Sequence, residues 1–441
     1  MKLDNWLAQR AQSCPERTAL ATAASRVTYA ELEAEATWVA RRLAAYGVRR
    51  GATAALTMHP RREEVVLLHA LMKLGAIALP LSPQLTEAER DAVLAAERPA
   101  IDLNDAAELT QTEADLPLLG EHDLDDLQCR ILTSGTTGEP RPVGLTYGNF
   151  LFSAVGSAFN IGVEPTDRWL CCLPLSHVAG LSIIVRSVIY GTTAVLLEGF
   201  DTDEVAETLV SGDITLLSLV PTMLVRLLEA GADLSRPRAI LIGGGPVPAD
   251  ALAEAVGRGA TVVQTYGLTE ACSQVTTLAP ADAGRRIGSA GRPLLTTHIR
   301  IADGEILVQG PTVAPGCADQ DGWLHTGDSG RIDADGFLWV EGRRDEVIIS
   351  GGENVAPAEV EEVLAAHPDV IEAAVVGRPD REWQNAVVAV VVPRDGADAG
   401  VEELRSWCAA RLAPFKVPKR IELADELPRT AAGKVQRSAL R

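Results

Sequence analysis

The stretch 131–146 reads ILTSGTTGEPRPVGLT. Two apolar residues, Ile131 and Leu132, lead into Thr133, Ser134, Gly135, Thr136, Thr137 and Gly138. Small residues let backbone N–H groups approach an anion, and the hydroxyls can donate to phosphate oxygens. It is not a Walker A loop, because no Gly-Lys-Ser/Thr follows at the required spacing. By itself such a run is more often a polar turn between strands. The remainder of the chain has to decide.

At 441 residues the chain is too long for one ordinary core, so two or more domains are expected. Apolar residues make up 47% and charged residues 23%, the balance of a globular enzyme or binding protein and not of a disordered chain. The net charge of −20 disfavours nucleic acid and anionic membrane surfaces as partners. A small anionic substrate would then need its own pocket of donors. Seven scattered cysteines without a C-x-x-C pair argue against a disulfide framework and a structural zinc site. Cys171 and Cys172 read as part of a buried strand. The opening segment has no continuous apolar core of signal-peptide length, and no run is long enough to span a membrane. A cytoplasmic protein without membrane insertion is expected.

Thr28, with Glu31 three residues on, has the spacing of a capping box and predicts a helix over LEAEATWVARRLAAYGV. Strand-like runs then alternate with helical ones. ATAALTM (52–58) precedes EEVVLLHALMKLG (63–75), and AIALPLS (76–82) precedes a helix around 86–96. The rhythm returns in TAVLLEGF (193–200), ITLLSLVP (214–221), RAILIGGG (238–245) and TVVQTYG (261–267). Such βα alternation favours an α/β fold with a mainly parallel sheet. After about residue 290, short runs separated by Gly and Asp predict small antiparallel sheets. From residue 346 onward a separate αβ pattern is long enough for a small domain. The acidic segment 104–127 reads as a solvated connector.

Further strand-end motifs accompany the opening stretch. LIGGGPVP (241–248) puts three glycines after a strand, where a flat ring could lie against bare backbone. YGLTE (266–270), HTGD (325–328), GRRDEVIISGGENVAPAEVE (342–361) and PRTAAGKVQR (428–437) follow in order. Each alone reads as a turn, since Gly and Asp are common there.

Together and in this order they resemble the adenylate-forming superfamily of acyl-CoA synthetases, peptide-synthetase adenylation domains and firefly luciferase. The resemblance covers nearly the whole chain. It implies a large multi-subdomain αβ domain, residues 1–343, that binds ATP and an acyl substrate, and a small mobile α+β domain, residues 344–441. Thr133, Ser134, Gly135, Thr136, Thr137 and Gly138 then match the phosphate loop. Gly244, Gly245 and Pro246, with Thr265, Tyr266 and Gly267, match the adenine site. Thr269 matches a phosphate-contacting hydroxyl and Glu270 the magnesium ligand, a hard oxygen suited to Mg²⁺. Asp328 matches the residue that holds the ribose hydroxyls, with Arg343 assisting, and Asp345 the hinge. Lys434 matches the mobile lysine of adenylation, and Gly351 and Gly352 the tunnel for the CoA thiol. ATP, CoA and a small carboxylic acid are the implied partners, and a homodimer is left open.

Two departures stand out. Arg141-Pro142 replaces the usual Lys-Gly, which changes the cation's geometry and removes one N–H. Trp383-Gln384-Asn385 replaces a frequent W-G-E.

LPLSHVAGLSIIVRSVIYG (173–191) resembles the acyl-pocket segment. Ser176 and His177 stand where amino-acid-activating relatives carry an aspartate, so an amino acid is disfavoured. His177 reads either as a helix-start residue or as a pocket residue. Arg186 interrupts an apolar run, where a buried unpaired guanidinium would be costly. It pairs with an acidic side chain, or it reads a second carboxylate on the substrate. GLSIIVRSVIYG and the YGLTEACSQ variant most resemble the o-succinylbenzoate–CoA ligases of menaquinone synthesis. A ligase for another aryl or alicyclic acid, an acyl-AMP ligase loading a carrier protein, and a nucleotide-binding relative of weakened catalysis remain as alternatives.

Overall fold

The computed structural model describes residues 1–103, 112–134, 140–211, 213–245, 247, 249–343, 347–355, 357–394, 400–428, 435 and 437–441. Gly135, Thr136, Thr137, Gly138, Pro246, Asp345 and Lys434 lie outside them, as does the proposed division after residue 343 in part.

Among the described residues, nine strands form the largest sheet. Its central run is parallel: Val262–Leu268, Ala239–Ile242, Leu216–Leu219, Arg168–Cys171, Thr193–Leu196 and Thr18–Ala21. These strands are nearly all apolar, as strands covered on both faces must be. Cys171 and Cys172 are buried there, and all seven cysteines are free. A second sheet runs Ile101–Leu103, Thr53–Thr57, Ile77–Leu81, Leu127–Ser134 and Pro140–Thr146. Its last pair is an antiparallel hairpin, with Thr133 opposite Arg141 and Leu132 opposite Pro142. The quoted stretch is therefore a hairpin, and its tip at 135–139 falls outside the described residues.

Both sheets take their cover from helices whose ends the local sequence dictates. Thr28 caps Tyr29–Ala45 with the full capping box: its hydroxyl accepts from the Glu31 N–H and the Glu31 carboxylate accepts from the Thr28 N–H. Thr86 and Glu89 repeat the device at Glu87–Glu97. The acidic segment corrects one expectation. Glu121–Asp123 is a strand paired with Lys2–Asp4, and His122 and Leu124 are buried. The ring of His122 stacks on Tyr147 at 4.1 Å, so this part of the presumed connector belongs to the core.

The antiparallel texture after residue 290 is a four-stranded sheet, His298–Ala302, Glu305–Gln309, Leu324–Ile332 and Leu338–Arg343. The last part has its own sheet of Glu353–Val355, Ile348–Ser350, Gln384–Pro393, Val370–Asp380 and Arg420–Leu423. Helices Pro357–Ala365 and Val401–Ala409 close a core built only from residues of this part, including Val360, Leu364, Val387, Leu404 and Ile421.

Candidate active site

A cavity of about 1800 Å³ opens where the parts meet. Strand ends supply most of its wall. The turn after Ala239–Ile242 brings Gly244 and Gly245, and Val262–Leu268 brings Thr265, Tyr266 and Gly267. The short helical turn Thr269–Ala271 adds Thr269 and Glu270. Thr133 and Arg141 enter from the hairpin of the second sheet, and Asp328 from the four-stranded sheet. Arg343 ends the strand Leu338–Arg343 and pairs in register with Asp328. Ser134 ends the strand Leu127–Ser134.

The strand connections account for the geometry. Gly267 lies so close to the neighbouring strand that a Cβ there would meet the Ser273 carbonyl oxygen at 1.6 Å. Only glycine fits. The Tyr266 hydroxyl donates to the Asp328 carboxylate at 2.7 Å, which joins the strand Val262–Leu268 and the four-stranded sheet into one wall. The Thr265 hydroxyl is held within the sheet, 2.9 Å from both the Thr276 carbonyl and the Thr277 hydroxyl. It shapes the wall, and the chain already uses its donor.

His177 is the N-cap residue of the helix Val178–Tyr190, but its side chain does not cap the helix. Its Nε2 lies 3.2 Å from the Glu353 carboxylate, on the hairpin Ile348–Val355 of the last part. Burial alone would depress the imidazole, and the carboxylate beside it outweighs that, so its pKa is raised. Burial would raise Glu353, and the facing imidazolium holds it below the ordinary range. Both shifts favour the charged pair. Gly351 and Gly352, at the turn of this hairpin, have φ of +61° and +83°, and a Cβ on Gly352 would meet Val220 at 2.8 Å. The hairpin thus presses its bare backbone into the cavity.

Arg186 is 3% exposed and borders the same cavity. One guanidinium nitrogen donates to the Ser153 hydroxyl at 2.8 Å, and Ser153 donates in turn to the Cys272 carbonyl at 2.7 Å. Its Nε has no partner, and among the described residues no carboxylate pairs with it. Burial pulls its pKa below the ordinary value. The first of the two alternatives for Arg186 thus finds no acidic partner among the described residues.

Residues 7–317 match the family described as AMP-binding enzyme, and residues 359–434 its C-terminal domain. The chain belongs to the AMP-binding enzymes. This AMP-binding enzyme is 40% identical to a 2-succinylbenzoate–CoA ligase of Listeria monocytogenes, over 100% of this chain and 99% of that one. Among solved structures, the o-succinylbenzoate CoA synthetase of Bacillus subtilis, as a double mutant bound with its product analogue, superposes with a TM-score of 0.94. It is 40% identical over 100% of this chain and 99% of that one. The same synthetase in complex with its acyl-adenylate intermediate superposes at 0.76, with 40% identity over 100% and 98% of the two chains. The AMP-binding enzyme therefore superposes more closely on the product-analogue complex than on the acyl-adenylate complex.

Three contributors escaped the sequence reading. Glu353 lay inside a motif valued for its glycines. Glu89 lay unremarked in the helix expected around 86–96, yet besides capping that helix it accepts from the Ala413 N–H at 3.2 Å and from Lys416 Nζ at 3.3 Å. Gln274 stood in the YGLTEACSQ stretch, where strand alternation after the turn could have aimed it at the cavity.

Proposed function

We propose that the chain is an ATP-dependent 2-succinylbenzoate–CoA ligase that forms its thioester through an acyl-adenylate. One carboxylate of the acid attacks the α-phosphate of ATP and pyrophosphate leaves. The CoA thiol then attacks the acyl carbon and AMP leaves. The observation that carries the substrate is Arg186, a buried guanidinium bordering the cavity with no carboxylate paired to it among the described residues. A 2-succinylbenzoate keeps one carboxylate after the other is activated, and that group would complete the pair.

The roles are those that the family's motifs imply for these residues. Gly244, Gly245 and Tyr266 form a wall for adenine, and Asp328 accepts from the ribose. Thr133, Ser134 and residues 135–138 hold phosphates, with Thr269 as a further hydroxyl donor. Glu270 offers a carboxylate at the cavity, and among the described residues no three His, Cys, Asp or Glu converge to cage a metal. That donor set fits Mg²⁺, which takes one or two carboxylates and otherwise phosphate oxygens and water. When bound, Mg²⁺ neutralises developing charge on the phosphates. Lys434 brings a cation to the attacking carboxylate, where two anions must meet. Gly351 and Gly352 leave a narrow passage for the pantetheine arm.

We divide the chain into an ATP- and acyl-binding part, 1–343, and a mobile part, 344–441, hinged at Asp345. The self-contained core of the second part supports this. Among the described residues no helix is long and apolar enough to cross a membrane. A cytoplasmic location fits a reaction that consumes ATP and CoA.

The deciding experiment is ATP–pyrophosphate exchange with 2-succinylbenzoate, benzoate, long-chain fatty acids and amino acids, followed by CoA and mass detection of a thioester. Exchange with 2-succinylbenzoate and a thioester product is expected. Exchange without thioester would move the acceptor to a carrier protein. Exchange only with another acid would overturn the substrate.

A further inference from the structure

Arg186 is not the only buried polar side chain at the acyl end. Gln274, in the strand Ser273–Thr277, is 3% exposed and borders the cavity. Among the described residues neither its amide nitrogen nor its amide oxygen has a hydrogen-bond partner. A buried amide left unpaired is costly, and a methionine of similar size would avoid that cost. Its neighbour Val275 turns the other way, into the core with Tyr266 and Ala271. Gln274 is tied to both ends of the site. It pairs in register with Gly267 of the nucleotide wall. On the other side, Cys272 of the same turn carries the carbonyl that anchors Ser153 and, through it, Arg186.

We infer that Gln274 is a specificity-determining residue whose amide N–H donates to the ketone oxygen of a keto diacid, while Arg186 takes the free carboxylate. The inference rests on the substrate reading above. The chemistry divides naturally between the two side chains. A guanidinium matches a carboxylate in charge and geometry, and a neutral carboxamide matches a neutral carbonyl. In 2-succinylbenzoate the ketone lies between the ring that bears one carboxyl group and the chain that ends in the other. An acid held at both ends therefore presents its ketone to the wall between them. A site built to hydrogen-bond that oxygen rejects an analogue without it, because the buried amide is then unpaired.

The test compares wild-type enzyme with Gln274→Met on 2-succinylbenzoate and on 4-(2-carboxyphenyl)butanoate, in which a methylene replaces the ketone. Pyrophosphate exchange is read for each pair. For Gln274→Met, kcat/KM on the keto acid is expected to fall about tenfold, through KM, while the methylene analogue stays within about twofold. The melting temperature should hold or rise, since an unpaired polar group leaves the interior. Gln274→Asn, which withdraws the amide by one methylene, should show the same selectivity and guards against a folding defect in the first variant. Equal loss on both acids would make Gln274 structural, and no loss on either would leave its amide to water; each overturns the inference with the substrate reading intact. A wild-type enzyme inactive on the keto acid would overturn the substrate reading and the inference with it.

Discussion

A guanidinium 3% exposed and bonded, among the described residues, only to a hydroxyl is an unusual way to bury a charge. Arg186 sits in the helix Val178–Tyr190 among Ile183, Ile184, Val185 and Val188, all buried, so nothing local compensates it. Removing one partner of a buried charged hydrogen bond costs about 2–5 kcal/mol, or about thirtyfold and upward in affinity. Arg186→Met is therefore expected to raise KM for 2-succinylbenzoate by at least that factor with KM for ATP unchanged. Because the free enzyme already carries the unpaired charge, its thermal stability should be kept or improved. A melting temperature that dropped together with activity on every acid would make Arg186 a structural residue. Arg186 also shows what one residue in a sequence can reveal. Its cost in an apolar run was legible, but its partner was not, because Ser153 and Cys272 approach only through folding.

Among the elements, the hairpin Val370–Asp380 to Gln384–Pro393 answers the question left by Trp383-Gln384-Asn385. The chain reverses over three residues, with the Asp380 carboxylate accepting from the N–H groups of Glu382 and Trp383. Gln384 leaves the turn at φ +64°, in the left-handed region where glycine is at ease. Its amide atoms are buried without partners, with the oxygen against Gly245. Gln384→Gly should therefore stabilise the protein by about 1 kcal/mol, read as a higher urea midpoint. An unchanged or lower midpoint would show that the side chain contributes more than its backbone strain removes. The Thr28 capping box was legible in advance because its partner lies within one turn, and the Thr86 box, equally local, was read only as a helix around 86–96. The strand at 121–123 was missed because its partner, Lys2–Asp4, lies more than a hundred residues away and its only local sign was acidic.

For the whole molecule, the last part is held against the first by charged contacts that no single motif contains. Lys416 is buried between Glu359 of its own part, at 2.6 Å, and Glu89 of the first, at 3.3 Å. Glu89→Gln keeps an acceptor for the Thr86 capping box and removes the charge that faces Lys416. It should slow thioester formation from preformed acyl-adenylate several-fold and leave pyrophosphate exchange unchanged. An equal effect on both half-reactions would assign Glu89 to stability alone. The His177–Glu353 pair adds a pH dependence. A raised His177 contributes fully below about 6.5, the ordinary value, and its contribution is lost as pH rises through the raised one. A lowered Glu353 contributes above about 4.3, and is lost only as pH falls through its lowered value. The thioester-forming step should thus lose rate on the alkaline side, above the ordinary histidine value, and His177→Ala should remove that limb from the pH profile. A limb that survives in His177→Ala would belong to another group.

The sequence by itself determined the αβ alternation, the helix starts, the order of the motifs and so the family. These depend on periodicity, on partners within a few residues, and on glycines at strand ends, all written along the chain. Tertiary structure decided what each polar side chain faces. It alone put Glu353 beside His177, Lys416 between two carboxylates, and the Gln274 amide and the Arg186 guanidinium at one cavity. The physical reason is that an unpaired buried group is defined by what surrounds it. Those surroundings come from strands and helices a hundred or more residues apart.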